Sequence, residues 1–219
     1  MESWDTMKEL FTPNNIVFML KGLQLTLYIS VISIGLSMVF GTVLGVLRSS
    51  VGGILGKLAA VYIEVVRNIP NLLWIYVVFI AFRLPSLQAG IVSFTIFTTA
   101  AIAEIVRGGL NSVGKGQWEA ARSQGFNTVQ VLINVILPQA LRSMVPALVS
   151  QFVTVIKDTC FLWSVVAIQE FTGQVTILMG RYYRVDQIFL LYGILALVYF
   201  VINYAISSFS RWLHNKWAY

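Results

Sequence analysis

The stretch that decides the fold runs from Gly22 to Leu47 and reads GLQLTLYISVISIGLSMVFGTVLGVL. It carries no charged residue, and it exceeds the roughly 20 apolar residues that a helix needs to cross about 30 Å of hydrocarbon. Over all 219 residues, 58% are hydrophobic and 11% are charged, whereas a soluble domain carries about 25% charged residues. So few charges cannot cover a water-facing surface, and the composition predicts an integral membrane protein.

Four further segments are long and apolar enough to complete a bundle. They are Leu58–Phe82, Leu84–Ala103, Leu137–Ile156 and Gln187–Ser210. The first contains Glu64 and Arg67, and the third is interrupted by Pro138, Arg142 and Pro146. We therefore predict an all-α membrane protein with five transmembrane helices. Cys160–Gly180 is apolar but broken by Glu170 and Gly173, and it is expected to be partly re-entrant or to lie at the outer surface.

Five spans place the two termini on opposite sides of the membrane. The excess of Lys and Arg in alternate loops favours an outside N-terminus, although the bias is slender. We expect residues 1–15 to be extracellular, 16–213 to form the transmembrane domain and 214–219 to be a cytoplasmic tail. The first ten residues carry Glu2, Asp5 and Glu9 and lack a basic region before a short apolar core, so no cleaved signal peptide is expected.

Composition also excludes several classes of site. One cysteine, Cys160, cannot form an internal disulfide, and the single His214 leaves no cluster of His and Cys metal ligands. Carboxylates alone remain able to hold a hard cation, but no metal ligands are assigned. The net charge of +6 is scattered between apolar runs, which suits membrane orientation and not nucleic-acid binding. Val51–Leu58 comes near a phosphate-binding loop, but Val51 and Leu58 replace its first Gly and its Ser or Thr.

Small residues form a ridge on the first predicted span. Ser33, Ser37, Gly41 and Gly45 recur every four residues, so they share one helix face that suits close helix contact in lipid. Packing within the chain and contact with another subunit are equally compatible with this ridge.

The polar segment between the third and fourth spans reads NSVGKGQWEAARSQGFNTVQ, from Asn111 to Gln130. Gln117–Gln124 has good helix formers, and Gly125 follows where a helix-terminating glycine belongs. Asn127 or Thr128 is placed to cap a following helix. Ala120 and Ala121 have small side chains that allow close approach by a partner. On these residues alone, a solvated loop fits the composition better than a docking surface.

The sequence EAARSQG, Glu119–Gly125, followed by Ile-Leu-Pro at Ile136–Pro138 resembles the EAA loop of ABC importer permeases, with Val135 where the family has Ile. Ala103–Ala121, Glu64–Trp74 and Lys157–Trp163 are similar to the polar amino-acid uptake branch of that family. The resemblance covers about residues 16–213 and implies a type I importer fold, with a cytoplasmic coupling helix within about residues 111–138.

The resemblance also implies partners. It predicts a bacterial cell-membrane permease without a cofactor or enzymatic activity of its own. ATP and Mg²⁺ would be bound by a dimer of ATPase subunits that docks at the EAA loop, around Glu119, Ala120, Ala121 and Gly125. A substrate-binding protein would deliver the amino acid. A second permease chain would complete the pathway, with a sister subunit favoured and a homodimer compatible.

Charged residues inside the spans need partners or functions, because each costs roughly 2.5–3.5 kcal/mol on insertion scales. Glu64 and Arg67 lie three residues apart and can pair on one helix face, and Glu104 and Arg107 repeat that spacing. Pro70 disfavours helical geometry at Ile69, so a kink is expected there. Glu64, Arg67 and Pro70 are therefore candidates for an intramembrane ion pair or a gate.

The candidate substrate site is built from the same class of residue. An amino acid brings an ammonium and a carboxylate, and each needs an opposite charge in the membrane. Asp158 is the first candidate for the ammonium and Glu104 the second, while Arg107 or backbone N–H groups near Pro70 would hold the carboxylate. Lys157 is a further candidate for substrate binding; it is adjacent to Asp158, but on a helix the two point about 100° apart and do not simply neutralise each other. Alternatively, Asp158 caps the next short helix.

The predicted function is thus import of a polar amino acid, with glutamine or glutamate favoured by general similarity. Related permeases carry opines or organosulfur amines, and that substrate class remains the alternative. An ATP-independent channel is opposed by the EAA loop. An intramembrane enzyme is opposed by the lack of a His cluster or an HExxH pair.

Overall fold

The computed structural model describes residues 8–51 and 53–217, without the side chains of 50, 51, 213–215 and 217. Helix α1 is Pro13–Val46, and its last turn continues as the π-helical segment Leu47–Val51. The predicted first span, Gly22–Leu47, is therefore longer at its start than expected. The Thr12 hydroxyl accepts the Asn15 N–H at 3.2 Å, and Pro13 takes the first helical position, where its missing N–H costs nothing. The expectations on Glu2, Asp5 and the His214 side chain lie outside what is described.

Pro70 separates two helices where the sequence predicts a kink. Helix α2 is Gly53–Arg67, and α3 is Asn71–Phe82. The chain bends at this break, and α2 and α3 are long and apolar enough for a membrane span only when they are taken together. Because Pro70 restricts the residue before it to extended geometry, the helix ends before Ile69.

The remaining helices follow the order of the predicted spans. They are α4 Ser86–Ser112, α5 Lys115–Ser123, α6 Thr128–Val131, the π-helical Leu132–Ile136, α7 Leu137–Asp158, α8 Phe161–Val166, α9 Phe171–Met179 and α10 Val185–Trp217. Within the described residues, four helical stretches can cross a membrane, and α2 with α3 makes a fifth. The prediction of an all-α membrane protein is confirmed. The count of five spans rests on that bent pair.

The small-residue ridge of α1 is buried within the chain. Ser33 donates to the Ile91 carbonyl at 3.4 Å, and Ser37 donates to the Thr95 carbonyl at 3.2 Å. A Cβ at Gly41 would lie 2.8 Å from Ile102, and one at Gly45 would lie 2.6 Å from the Ala103 carbonyl oxygen. The ridge therefore lets α1 pack closely on α4, and of the two roles open for it, packing within the chain is the one it performs.

The chain divides into two compact units, each with its own apolar cluster. The first unit comprises Met1–Ser33, Asn71–Phe94 and Thr154–Ala205, as far as these are described, and the second comprises Ile34–Pro70, Thr95–Val153 and Ile206–Tyr219. Phe171, Val175, Leu178 and Leu191 centre the first cluster. Ile102, Leu110, Val131, Ile136 and Ala140 centre the second. Burial of these side chains fixes the helices that carry the polar residues described next.

Candidate functional site

The segment that follows α4 forms the short helix that the sequence predicts. Helix α5 ends at Ser123, and Gly125 adopts φ +85°. The Gly125 N–H donates to the Arg122 carbonyl at 2.9 Å, and the Phe126 N–H donates to the Ala121 carbonyl at 3.3 Å. This pair of bonds is a Schellman motif, which requires the left-handed conformation that glycine adopts without strain. The expectation of a helix-terminating glycine at position 125 is thus confirmed.

Asn127 starts the next helix with a capping box. Its side chain accepts the Gln130 N–H at 3.0 Å, and the Gln130 side chain accepts the Asn127 N–H at 2.9 Å. Between the two possible caps, Asn127 and Thr128, the chain therefore uses Asn127. Both ends of the turn between α5 and α6 are fixed by local hydrogen bonds, which makes the segment a rigid corner.

The two alanines of the EAA sequence lie on different faces of α5, one exposed and one buried. Ala121 is buried in the apolar cluster of the second unit, and Trp118 packs against that cluster. Glu119, Ala120 and Gly125 are exposed. The expectation that both alanines offer a surface to a partner is therefore wrong for Ala121, because helical geometry turns it towards Val131 and Ile136. The inner face holds α5 in place, and the outer face is free for contact.

A groove of about 490 Å³ lies beside α5 in the second unit. It is lined by Ser49, Leu110, Asn111, Val113, Lys115, Trp118, Glu119, Arg122 and Thr128. Ser49 donates to the Asn111 side chain at 3.0 Å, which ties the end of α1 to the end of α4 next to this groove. The groove thus presents both charge signs, Lys115 and Arg122 against Glu119.

The second unit contains a five-residue charged cluster, consisting of Arg48, Glu64, Arg67, Glu104 and Arg107. Arg107 donates twice to Glu104, from Nη2 to Oε1 at 2.6 Å and from Nε to Oε2 at 3.0 Å. Arg48 bridges Glu64 at 2.8 Å and Glu104 at 3.1 Å. Arg67 approaches Glu104 Oε1 at 3.7 Å. With three arginines and two glutamates, the charged cluster carries a formal excess of one positive charge.

The partners in this cluster differ from those that sequence spacing suggests. Glu64 pairs with Arg48 and not with Arg67, so the expected pair between Glu64 and Arg67 is wrong. Arg67 turns instead towards Glu104. Glu104 faces three guanidinium groups and its side chain is only 22% exposed. Its acceptor capacity is used by these arginines, which argues against Glu104 as a partner for a substrate ammonium.

Asp158 ends α7 and accepts one hydrogen bond, from the Asn71 amide at 3.0 Å. Cys160 occupies the N-cap position of the helix that follows, and no side chain caps that helix. The expectation that Asp158 caps it is therefore wrong. Lys157 is exposed and forms no ion pair in the part of the chain that is described. Asp158 therefore keeps spare acceptor capacity while it is partly buried.

Glu170 has a role that the sequence does not predict, because there it is only a charged residue that interrupts the apolar segment Cys160–Gly180. Its side chain is fully buried and caps α9, accepting the N–H groups of Thr172 at 2.9 Å and Gly173 at 3.0 Å. The Thr26 and Tyr199 hydroxyls donate to the same carboxyl at 3.1 and 3.2 Å. Burial raises the pKa of the Glu170 carboxyl. The only sign of this capping role in the sequence is one charged residue in an apolar stretch, because Glu is not among the preferred N-cap residues.

Comparisons with known proteins cover almost the whole chain. A family described as "Binding-protein-dependent transport system inner membrane component" matches residues 37–219. The "Probable glutamine ABC transporter permease protein GlnP" of Bacillus subtilis (strain 168) is 40% identical over 211 residues, covering 94% of this chain and 96% of the relative. The "Probable glutamine ABC transporter permease protein GlnM" of that strain is 36% identical over 208 residues, covering 93% and 94%. A solved structure, "Crystal structure of an amino acid ABC transporter with histidines", superposes with a TM-score of 0.81 at 26% identity, over 92% of this chain and 94% of that chain.

Proposed function

The chain belongs to the family of binding-protein-dependent transport system inner membrane components, and we propose how it works as the transmembrane subunit of an ABC importer for polar amino acids. The observation that carries the mechanism is the rigid corner at α5, with a buried inner face and an exposed outer face. The glutamine descriptions of its relatives favour glutamine or glutamate as the cargo.

Helix α5 is the docking element for an ATPase subunit, which binds ATP and Mg²⁺. Glu119, Ala120 and Gly125 contact the ATPase, while Ala121 and Trp118 anchor the helix in the second unit. Because both ends of the corner are hydrogen-bonded, closure of the ATPase moves α5 and the attached end of α4 as one body. The partner hydrolyses ATP, and this chain converts closure of the ATPase into movement of its own helices.

The topology can be tested by labelling single cysteines in intact cells. In a Cys160→Ala background, Gln124→Cys is expected to react with a membrane-impermeant maleimide only after the cells are opened and the ATPase is stripped from the membrane. Tyr183→Cys, at a side chain that is 92% exposed, is expected to react from outside. In the assembled complex, Gln124→Cys is protected by the ATPase. Reaction of Gln124→Cys in intact cells would contradict the proposed cytoplasmic position.

The substrate ammonium binds Asp158 in this proposal. Asp158 is partly buried and uses one acceptor position on Asn71, so a second position is free for an N–H donor. Arg107 is a weaker candidate for the carboxylate than its charge suggests, because Glu104 engages two of its donor groups.

Asp158→Asn separates a binding role from a structural one. Asparagine keeps the shape and can still accept from Asn71, but it loses the charge that attracts an ammonium. The expected result is an assembled complex with normal basal ATPase activity and weaker glutamine affinity. Asp186→Asn is the matched control, because Asp186 is exposed and pairs with Arg184 at the start of α10. Unchanged affinity in Asp158→Asn would remove Asp158 from the site.

Two permease chains make up the pathway. Two different chains of Bacillus subtilis carry the glutamine permease description, which supports a sister subunit over a homodimer. A substrate-binding protein delivers the cargo, in keeping with the family's description. The mass of the detergent-purified active complex tests this, and one permease chain per particle would refute it.

A further inference from the structure

The first unit contains a polar groove whose lining does not include Asp158. Its volume is about 430 Å³, within the range of small-molecule sites. It is lined by Lys21, Gln24, Leu25, Tyr28, Gln169 and Gln174. Lys21, Gln24 and Tyr28 are exposed and recur along one face of α1. Exposed polar side chains on a membrane helix require water, head groups or a polar ligand beside them.

Gln174 supplies the observation that points to a ligand. Its side chain is 8% exposed, and its Oε1 atom has no hydrogen-bond partner among the described residues. The missing side chain of Gly22 makes room for it, because a Cβ there would lie 2.5 Å from Gln174 Cγ. Gln174 thus lies close against α1. A buried amide oxygen without a donor is unfavourable, so a ligand that brings an N–H group would satisfy it.

The two walls of the groove are fixed to each other. Thr26 on α1 donates to Glu170 at 3.1 Å and accepts the Phe171 N–H at 3.1 Å. Gln174 lies in the first turns of α9, and its N–H donates to the Glu170 carbonyl at 2.8 Å. These bonds hold α9 against α1 without any ligand, so the groove is preformed.

Lys21 supplies the charge in the groove. It is exposed and forms no ion pair in the described part of the chain, and the other lining residues are neutral. We propose that this groove binds a small zwitterionic group, with an oxyanion on Lys21 and an N–H donor on Gln174 Oε1. The carboxylate and ammonium of the transported amino acid have this chemistry, and so do the phosphate and ammonium of a phosphatidylethanolamine head group. Only the first source rests on the proposed function.

The test uses the purified permease–ATPase complex and three variants. Lys21→Gln removes the charge at an exposed position, and Gln174→Met removes hydrogen bonding while keeping size. Lys57→Gln is the matched control, because Lys57 is exposed, lies in the second unit and has no ion pair among the described residues. The first arm measures the Kd of radiolabelled glutamine in phosphatidylcholine nanodiscs, where the lipid ammonium has no N–H. The second arm measures retention of phosphatidylethanolamine by native mass spectrometry.

If the amino acid is the ligand, the groove is a second site besides Asp158, and Lys21→Gln and Gln174→Met raise the Kd of that second site about tenfold while Lys57→Gln leaves it unchanged. If the lipid is the ligand, the same two variants lose bound phosphatidylethanolamine and keep the wild-type Kd. Wild-type values for Lys21→Gln in both arms overturn the proposal, even where Gln174→Met fails to fold. ATP-driven uptake by the wild-type complex is measured in parallel. Its absence would count against the proposed function and not against the groove.

Discussion

Replacement of Glu104 by Gln is expected to destabilise the second unit far more than replacement of Glu64 by Gln. Glu104 faces three arginines and is 22% exposed, whereas Glu64 pairs with one arginine and is 64% exposed. Breaking a buried ion pair by removing one partner costs about 3–5 kcal/mol, and an exposed pair is worth about 0.2–1 kcal/mol. Glu104 lies between these limits, so we expect a loss of about 2–3 kcal/mol for Glu104→Gln and under about 1 kcal/mol for Glu64→Gln.

Unfolding of the purified protein by SDS in mixed micelles measures both losses on one scale, where a linear extrapolation holds. A second substitution provides the internal check. Glu104→Gln raises the excess charge of the charged cluster from one to two, and adding Arg107→Gln returns it to one. The double variant should therefore be less unstable than the sum of the two single variants, as expected for residues in direct contact. Equal losses for the two glutamate variants, or simple additivity with Arg107→Gln, would refute the reasoning.

Three further changes test other features of the fold. Gly125→Val places a branched side chain at φ +85°, at a cost of about 1–2 kcal/mol, and should lower amino acids imported per ATP hydrolysed. Gly125→Asn, which tolerates this conformation, should restore the ratio, and a normal ratio in Gly125→Val would exclude a coupling role. Gly41→Leu overpacks α1 against Ile102 and should cost about 1–3 kcal/mol in the SDS assay, while Gly35→Leu faces open space and should cost little; equal losses contradict the ridge assignment. Because burial raises the pKa of Glu170, the folded state binds its proton more tightly, so this group's stabilisation is complete below about pH 4.3 and is lost as pH rises through the raised pKa. Glu170→Gln should remove this loss from a plot of unfolding free energy against pH. The same loss in the wild type and the variant would count against the role given to Glu170.

The local features of the segment from α5 to α6 could be predicted because their causes lie within a few residues. Gly125 ends α5 since only a residue that accepts positive φ closes the Schellman motif there. Asn127 and Gln130 form a capping box at the spacing that the motif requires. Pro70 ends α2 because it lacks an N–H and restricts Ile69. Each outcome follows from covalent geometry that the sequence carries directly.

Choices between distant partners could not be predicted in this way. Spacing allows Glu64 to meet Arg67, but Arg48, in the π-helical segment Leu47–Val51, pairs with Glu64 instead. The small-residue ridge predicts close contact with another helix but does not identify that helix, which in the structure is α4. Ala121 faces the core because of the position of Val131 and Ile136, which belong to a later segment. In each case the answer depends on tertiary packing, which residue periodicity does not encode.

Polar side chains in this protein divide by how fully their hydrogen-bonding capacity is used. Glu104 and Glu170 are saturated, the first by arginines and the second by two N–H groups and two hydroxyls, so both act to hold helices together. Gln174 is buried and Asp158 is partly buried, yet among the described residues Asp158 accepts one bond and Gln174 Oε1 accepts none. Desolvated acceptors without donors lower stability, so the fold gains nothing from them. A ligand that carries N–H groups would recover that loss, which is why we expect binding at Asp158 and Gln174 and not at the better-paired glutamates.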